Sequence, residues 1–279
     1  MKTAVAWIEH CNEFHSICAK YRCQEGWHTL PSRVIDVGVP DSLSEPYLFV
    51  PNGQRAPYVC LSHCWGSTAS TLIKTTKGNL EALKKQIPLA VLPRTFADAV
   101  RITRATNIRY LWIDSLCIVQ DNTDDWQNEA AAMTSIYKNA YLTIAATASK
   151  DSSGGCFRPR RPFSLLRRPQ RKPTQPSRPS ETLLLYPNSI HTIYDILEAP
   201  LHTRGWAFQE LILSCRTLNF CEDQLLWHCL ERTATEDGVT DFPGYNKDHK
   251  STDLFFSKLG TKIGLIRDIT DIDSQRIYW

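Results

Sequence analysis

Hydrophobic and polar positions follow two different spacings along the middle of the chain, and the changes of spacing predict its elements. Runs of apolar residues predict strands at 58–65, 109–119 and 140–148. Between them, apolar residues at helical spacing predict helices at 92–107, with Thr95 as its N-cap, and at 121–139. Strands that alternate with helices of this length are typical of βαβ units. The sequence therefore predicts an α/β fold with a mostly parallel central sheet flanked by helices.

The pattern outside this block predicts further elements on both sides. Apolar positions within residues 3–22 fit one face of a helix, and a Pro-, Gly- and Ser-rich stretch follows it. Farther along, 204–214 is predicted as a helix, and 215–220 and 223–229 as paired strands. We divide the chain into a helical and extended lead-in (1–56), an α/β domain (57–230) and a poorly patterned tail that we expect to be truncated (231–279).

Charge is concentrated in one segment. Residues 158–180 carry eight basic side chains, six prolines and no acid, whereas the rest of the chain is mildly acidic. This composition cannot bury enough apolar surface to fold and predicts a disordered insertion. Its prolines prevent a recognition helix, so nucleic acid is not expected as a partner.

The composition and the absence of targeting signals indicate the cellular compartment. No apolar run approaches the ~18 residues of a membrane span, and neither an export signal nor an N-glycosylation sequon is present. We therefore expect a cytoplasmic protein that does not enter the membrane. Its ten cysteines should be reduced and unpaired.

Three ordered blocks carry a family resemblance: YVCLSHCWG from residue 58, the long stretch from LPRTF to GGCF at 92–157, and LHTRGWAFQELILSCRTLNFCEDQLLWHC from residue 201. Together they resemble the fungal heterokaryon incompatibility (HET) domain over about 57–230. The resemblance implies an effector of self/non-self recognition that promotes cell death. Its implied partner is a second copy of the chain or an allelic incompatibility protein. His63 stands where the family usually has tyrosine, and the chain is short for the family.

HET domains are in turn distantly similar to TIR domains, which have a flavodoxin-like fold. The shared features are a strand that ends in serine plus an aromatic ring, here Ser62 and His63, and a later Trp…Glu at a helix start, here Trp126 and Glu129. Some TIR domains cleave NAD with a glutamate at that place, and others only self-associate. The resemblance implies either an NAD glycohydrolase that needs no bound cofactor, or a non-enzymatic module that acts by homotypic association. An inactive, truncated member is the third alternative.

Glu129 is the predicted catalytic residue. Breaking the bond between nicotinamide and ribose requires a carboxylate near the developing positive charge of the sugar. Trp126 lies beside it in sequence and could stack on a flat base. The alternative is structural, because acids at a helix start stabilise the helix dipole and Trp126 could belong to the core.

Further residues are predicted to bind substrate from strand ends and from the later helix: Ser62, Trp65, Asp114, Arg204 and Glu210. Asp114 could instead cap the following turn or pair with Arg109 or Arg204. Arg204 and Glu210 could form a buried ion pair. Ser62 and His63 point to opposite faces of a strand, so we do not expect a nucleophile–base pair.

A cluster of possible metal ligands lies near the N-terminus. Cys11, His15 and Cys18 share one helical face, and Cys23 follows shortly after. The spacing matches no standard zinc motif, and a core-facing stripe has the same pattern. We therefore predict no metal.

Overall fold

A computed structural model of the chain describes residues 1–20, 26–40, 44–66, 72–158, 196, 199–236 and 241–243. The predicted insertion lies outside the described residues except for Arg158, which forms a salt bridge with Glu222. An α/β fold is confirmed. Nine strands form one sheet in the described part of the chain. They are β1 Val34–Asp36, β2 Tyr47–Phe49, β3 Tyr58–Ser62, β4 Tyr110–Trp112, β5 Leu142–Ala145, β6 Arg216–Phe220, β7 Leu225–Cys229, β8 Arg232–Thr235 and β9 Asp241–Pro243.

The sheet has a parallel centre and antiparallel sides. Its order is β2-β1-β4-β3-β5-β6-β7-β8-β9, and only the neighbours among β4, β3, β5 and β6 are parallel. The remaining five pairings are antiparallel, so the prediction of a mostly parallel sheet is wrong for the sheet as a whole. Short connections cause the difference from β6 to β9, since a strand joined to the next by a few residues can only return antiparallel. They do not explain the antiparallel pairing of β1 with β4, which β2, β3 and α4 separate along the chain. The predicted pairing of 215–220 with 223–229 is confirmed as such a hairpin.

Seven α-helices are described: α1 Lys2–Phe14, α2 Ser16–Lys20, α3 Leu80–Leu83, α4 Arg94–Ala105, α5 Asp114–Cys117, α6 Thr123–Asn139 and α7 Gly205–Leu213. Single 3-10 turns cover Leu89–Val91 and Pro200–Thr203. α4 connects β3 to β4, and α6 leads into β5, as the crossover of parallel strands requires. None of the described helices has the length and apolar composition needed to cross a bilayer.

Two predicted boundaries are corrected by local contacts. The predicted strand 109–119 ends at Trp112, and α5 begins at once because the Asp114 carboxylate accepts the Ser115 amide at 2.6 Å. Thr95 is not the N-cap of α4, which is Pro93. The Thr95 hydroxyl instead accepts the Gly155 amide at 3.0 Å and so holds the segment that follows β5.

The N-terminal helices pack on the antiparallel side of the sheet. α1 lies against β7, where the rings of Trp7 and Trp227 are 6.5 Å apart. Its buried residues Ala4, Ile8 and Cys11 belong to the main hydrophobic core. The predicted lead-in is therefore part of the core packing, and β8 and β9 extend the sheet into the region predicted as tail.

Candidate functional site

The C-terminal ends of the parallel strands meet at one edge of the sheet, and an open cleft of about 610 Å³ lies there. It is lined by the turn after β3, the segment after β5 and the start of α7, through Cys64, Trp65, Gly66, Lys150, Pro200, Thr203 and Arg204. Gly66 has a φ of 75°, and a Cβ there would come within 2.3 Å of the Asp151 Cβ. The turn at Gly66 therefore packs directly on the segment after β5.

Ser62 and Glu210 form the buried centre of the site. The Ser62 hydroxyl, at the end of β3, donates a hydrogen bond to Oε2 of Glu210 on α7, and each residue is only 3% exposed. Burial raises the pKa of Glu210 to about 7, although the Ser62 hydrogen bond and the Arg204 charge both lower it. Near neutral pH this carboxyl group can therefore both release and accept a proton, which is typical of catalytic acids and bases.

Asp114 holds the side chains around this pair in place. Its Oδ2 accepts the indole Nε1–H of Trp65 at 2.8 Å, and its Oδ1 lies 3.9 Å from Nδ1 of His63. It also accepts the Ser115 amide, as the capping alternative requires, whereas its role in binding substrate stays a prediction. It does not pair with Arg109, which binds Asp36 at 2.7 Å.

His63 is neutral at pH 7, because burial lowers its pKa to about 4. Its ring lies edge-on against Phe96, with the centroids 4.9 Å apart. Its Nε2 has no hydrogen-bond partner among the described residues. Because Ser62 binds Glu210 while His63 faces Phe96 and Asp114, the two residues form no nucleophile–base pair, as expected.

Arg204 joins the start of α7 to the residue that follows β3. Its Nη1 donates to the backbone carbonyl of His63, and the side chain lines the cleft. Within the described residues it forms no salt bridge with Glu210, so the buried ion pair that the sequence left open is absent. A half-buried guanidinium with donors left over can bind an anionic group in the cleft.

Glu129 lies in a different environment from the one expected. On α6, it accepts a hydrogen bond from the Ser32 hydroxyl and lies 3.6 Å from the Arg33 guanidinium, which also pairs with Asp125 at 2.6 Å. Trp126 packs partly buried against the hydrophobic core. Neither Glu129 nor Trp126 lines the cleft, because the Arg33 side chain binds this face of α6 to the lead-in. The catalytic role of Glu129 and the stacking role of Trp126 therefore stay predictions.

Two residues near the site had no signal in the sequence. Lys150 lines the cleft as an exposed cation in the segment after β5. Tyr137 on α6 donates to the Leu61 carbonyl at 3.2 Å and lies beside the Glu210 carboxyl. Helical spacing marked Tyr137 only as an apolar position, and a single lysine after a strand is too common a feature to indicate a site.

The N-terminal cysteines and histidine also come together. Their cluster lies at β7, which β6 separates from the strands β3 and β5 at the cleft. Cys11, His15 and Cys18 are joined by Cys229 of β7 in a buried group. Cys23, the fourth residue considered from the sequence, lies outside the described residues. The eight buried cysteines among the described residues are free thiols.

Comparison with protein-family models identifies a family. The family model described as "Heterokaryon incompatibility protein (HET)" matches residues 58–210. The matched region begins at β3 and ends at Glu210, so it spans the cleft and every predicted site residue. No curated protein and no solved structure matches the chain.

Proposed function

The chain belongs to the heterokaryon incompatibility (HET) family, because the family model matches more than half of it, and from this premise we propose that it is a cytoplasmic effector of fungal self/non-self recognition. The family supports a role in heterokaryon incompatibility in general. In our proposal the effector promotes cell death by hydrolysing NAD in the cleft at the end of β3 and β5, with Glu210 as the catalytic carboxylate.

The order of the parallel strands supports a nucleotide-type site. Numbered among themselves along the chain, β3, β4, β5 and β6 lie in the order 2-1-3-4, which is the order at the start of a flavodoxin-like sheet. In such sheets the ligand binds at the carboxyl ends of the strands where the order reverses, here between β3 and β5. The cleft is lined from the ends of these two strands.

One observation carries the proposal: Ser62 at the end of β3 donates a hydrogen bond to Glu210, and the pKa of Glu210 is about 7. In the reaction, water attacks C1′ of the nicotinamide ribose as the C–N bond breaks, and neutral nicotinamide leaves. The Glu210 carboxylate stabilises the positive charge that develops on the sugar and accepts the proton of the water. Arg204, Lys150 and Trp65 line the cleft. In this proposal the two cations bind the pyrophosphate and Trp65 stacks on a base.

Burial of Glu210 places a condition on activity. Glu210 is 3% exposed and does not line the cleft, so substrate reaches its carboxyl only after a rearrangement, for which we propose the release of Arg204 from the His63 carbonyl. We propose that association of copies of the chain shifts Arg204 and opens the cleft. The free monomer is then inactive, as an effector of cell death must be before its trigger arrives.

The test compares two carboxylates in one assay. Concentrated protein is incubated with NAD, and nicotinamide is measured by chromatography for the wild type, Glu210→Gln and Glu129→Gln. We expect release by the wild type and by Glu129→Gln, and none by Glu210→Gln. The opposite pattern would assign the chemistry to Glu129.

A second candidate is a non-enzymatic module that acts by homotypic association. The Glu129 environment favours it, since the glutamate predicted from the TIR resemblance is held by Ser32 and Arg33 away from the cleft. Here, a folded and self-associated protein releases no nicotinamide, and Glu210→Gln still triggers cell death when expressed in a fungal host. Sedimentation velocity establishes the association state in the same samples.

A further inference from the structure

Four buried side chains from distant parts of the sequence point their ligand atoms at one another. The Sγ atoms of Cys11, Cys18 and Cys229 and a ring nitrogen of His15 all lie within 4.8 Å of each other. Nδ1 of His15 is 3.3 Å from the Cys229 Sγ. All four residues are buried.

The backbone of the lead-in is shaped so that three of these side chains share the cluster. α1 ends at Phe14, and His15 has an extended conformation with φ −93° and ψ 99° before α2 begins. The Glu231 carboxylate, in the turn after β7, accepts the amides of Ile17 and Cys18 and so binds the start of α2 beside the sheet. Cys18 is thereby brought against the strand that carries Cys229.

A buried arginine indicates the charge of the cluster. Arg216 is 2% exposed, and its Nε donates to the Cys11 Sγ at 3.2 Å. It also contacts the backbone carbonyl and the ring of Tyr141, and the Cys215 thiol lies near enough to interact with its charge. No carboxylate pairs with it among the described residues. A buried guanidinium requires an anionic partner, and the sulfur atoms are the groups in contact that can supply it.

We propose that Cys11, His15, Cys18 and Cys229 bind one Zn²⁺ ion in a closed structural site. Three thiolates and a neutral imidazole around Zn²⁺ have a net charge of −1, which Arg216 balances. Zn–S bonds of about 2.3 Å place tetrahedral sulfur ligands about 3.8 Å apart, so the observed separations need only small side-chain shifts. Binding releases the three thiol protons and leaves no coordination position for a substrate.

The site joins parts of the chain that lie outside the family match. Cys11, His15 and Cys18 precede residue 58, and Cys229 follows residue 210. The ion therefore fastens the lead-in to β7, the strand that Trp7 of α1 also contacts. Its function is to close the fold around the matched region, separately from the chemistry of the cleft.

The experiment measures metal in the full chain. Protein purified without chelator, added metal or a metal-affinity step is analysed by mass spectrometry for elements, beside Cys11→Ser, Cys229→Ser and the control Cys60→Ala. Cys60 is an equally buried cysteine of β3 outside the cluster. We expect one zinc per chain in the wild type and in Cys60→Ala, and loss of the zinc in the two ligand variants.

A second pair of variants keeps the proposal testable if the serine variants unfold. His15→Cys replaces one zinc ligand by another and should retain the ion, whereas His15→Ala should release it to a chelating dye at lower dye concentration. Cobalt exchanged into the wild type should show the visible bands of a tetrahedral thiolate site. Folded protein without zinc whose thiols all react at once, or a Cys11–Cys18 disulfide after anaerobic purification, would overturn the proposal.

Discussion

Glu129 and Glu210 are two buried glutamates on helices, each of which accepts a hydrogen bond from a serine, yet their surroundings differ in one respect. Arg33 lies 3.6 Å from Glu129, whereas the charge of Arg204 lowers the pKa of Glu210 without a salt bridge between them among the described residues. Burial raises the pKa of both, and that of Glu210 reaches about 7. The counterion separates a carboxylate that holds two segments together from one that is able to titrate at the base of a cleft.

The largest expected effect comes from removing the counterion of Glu129. Arg33→Ala leaves Glu129 and Asp125 without their guanidinium, and unpaired buried charges cost about 3 to 5 kcal/mol. Urea unfolding should show this loss of stability. Lys84→Ala, which breaks the exposed salt bridge to Glu81, is the control and should change stability by about 0.5 kcal/mol or less. If Arg33→Ala and Lys84→Ala lowered the free energy of unfolding equally, Arg33 would not act as a buried counterion, and the two glutamates would not differ in this respect.

The pH dependence of stability tests Glu210. Its folded pKa of about 7 lies above the ordinary value of 4.5, so its contribution to stability is fully present below pH 4.5 and is lost as pH rises through about 7. The free energy of unfolding of Glu210→Gln, relative to that of the wild type, should therefore rise by about 3 kcal/mol between pH 5 and pH 9. Urea unfolding of both proteins at the two pH values measures this difference, in which the contributions of other groups cancel. A constant difference would mean that Glu210 titrates normally.

Ser62 and Ser32, which donate to Glu210 and Glu129, provide a second comparison with smaller expected changes in stability. Ser62→Ala removes the hydrogen bond to Glu210 and should cost about 1 to 2 kcal/mol at pH 8, where the carboxyl is ionised. Ser32→Ala should cost less, about 1 kcal/mol or below, because Arg33 still faces Glu129. Chemical unfolding at pH 8 compares them, and the reverse order would contradict the assignment of the counterion.

The smallest effect on stability is expected at the rim of the cleft. Lys150 is exposed, so Lys150→Ala should change the unfolding free energy by less than about 0.5 kcal/mol. If the cleft binds NAD, the same variant should raise the KM for NAD severalfold with little change in kcat, because a lysine on the pyrophosphate acts on binding. An unchanged KM would place the pyrophosphate elsewhere.

Much of the site could be predicted from local signals. Ser62, Trp65 and Asp114 lie in the later parts of two predicted strands, and Arg204 and Glu210 lie on a predicted helix. A parallel arrangement of the strands brings these parts to one edge of the sheet. Glu129 was predicted from a resemblance at a helix start. Its position depends on Arg33, about a hundred residues earlier, and no spacing along the chain reports that contact.

The hydrophobic spacing of the sequence was sufficient for the elements that depend on neighbouring residues, such as α4, α6, α7 and the hairpin of β6 and β7. This is because helical and strand periodicities involve contacts only a few residues apart. The direction of the outer strands, the counterion of each glutamate and the choice of Cys229 beside Cys11 were set by packing across the sheet. Those contacts join residues up to 218 positions apart, and their energies depend on burial and charge in the folded chain, which a local pattern does not contain.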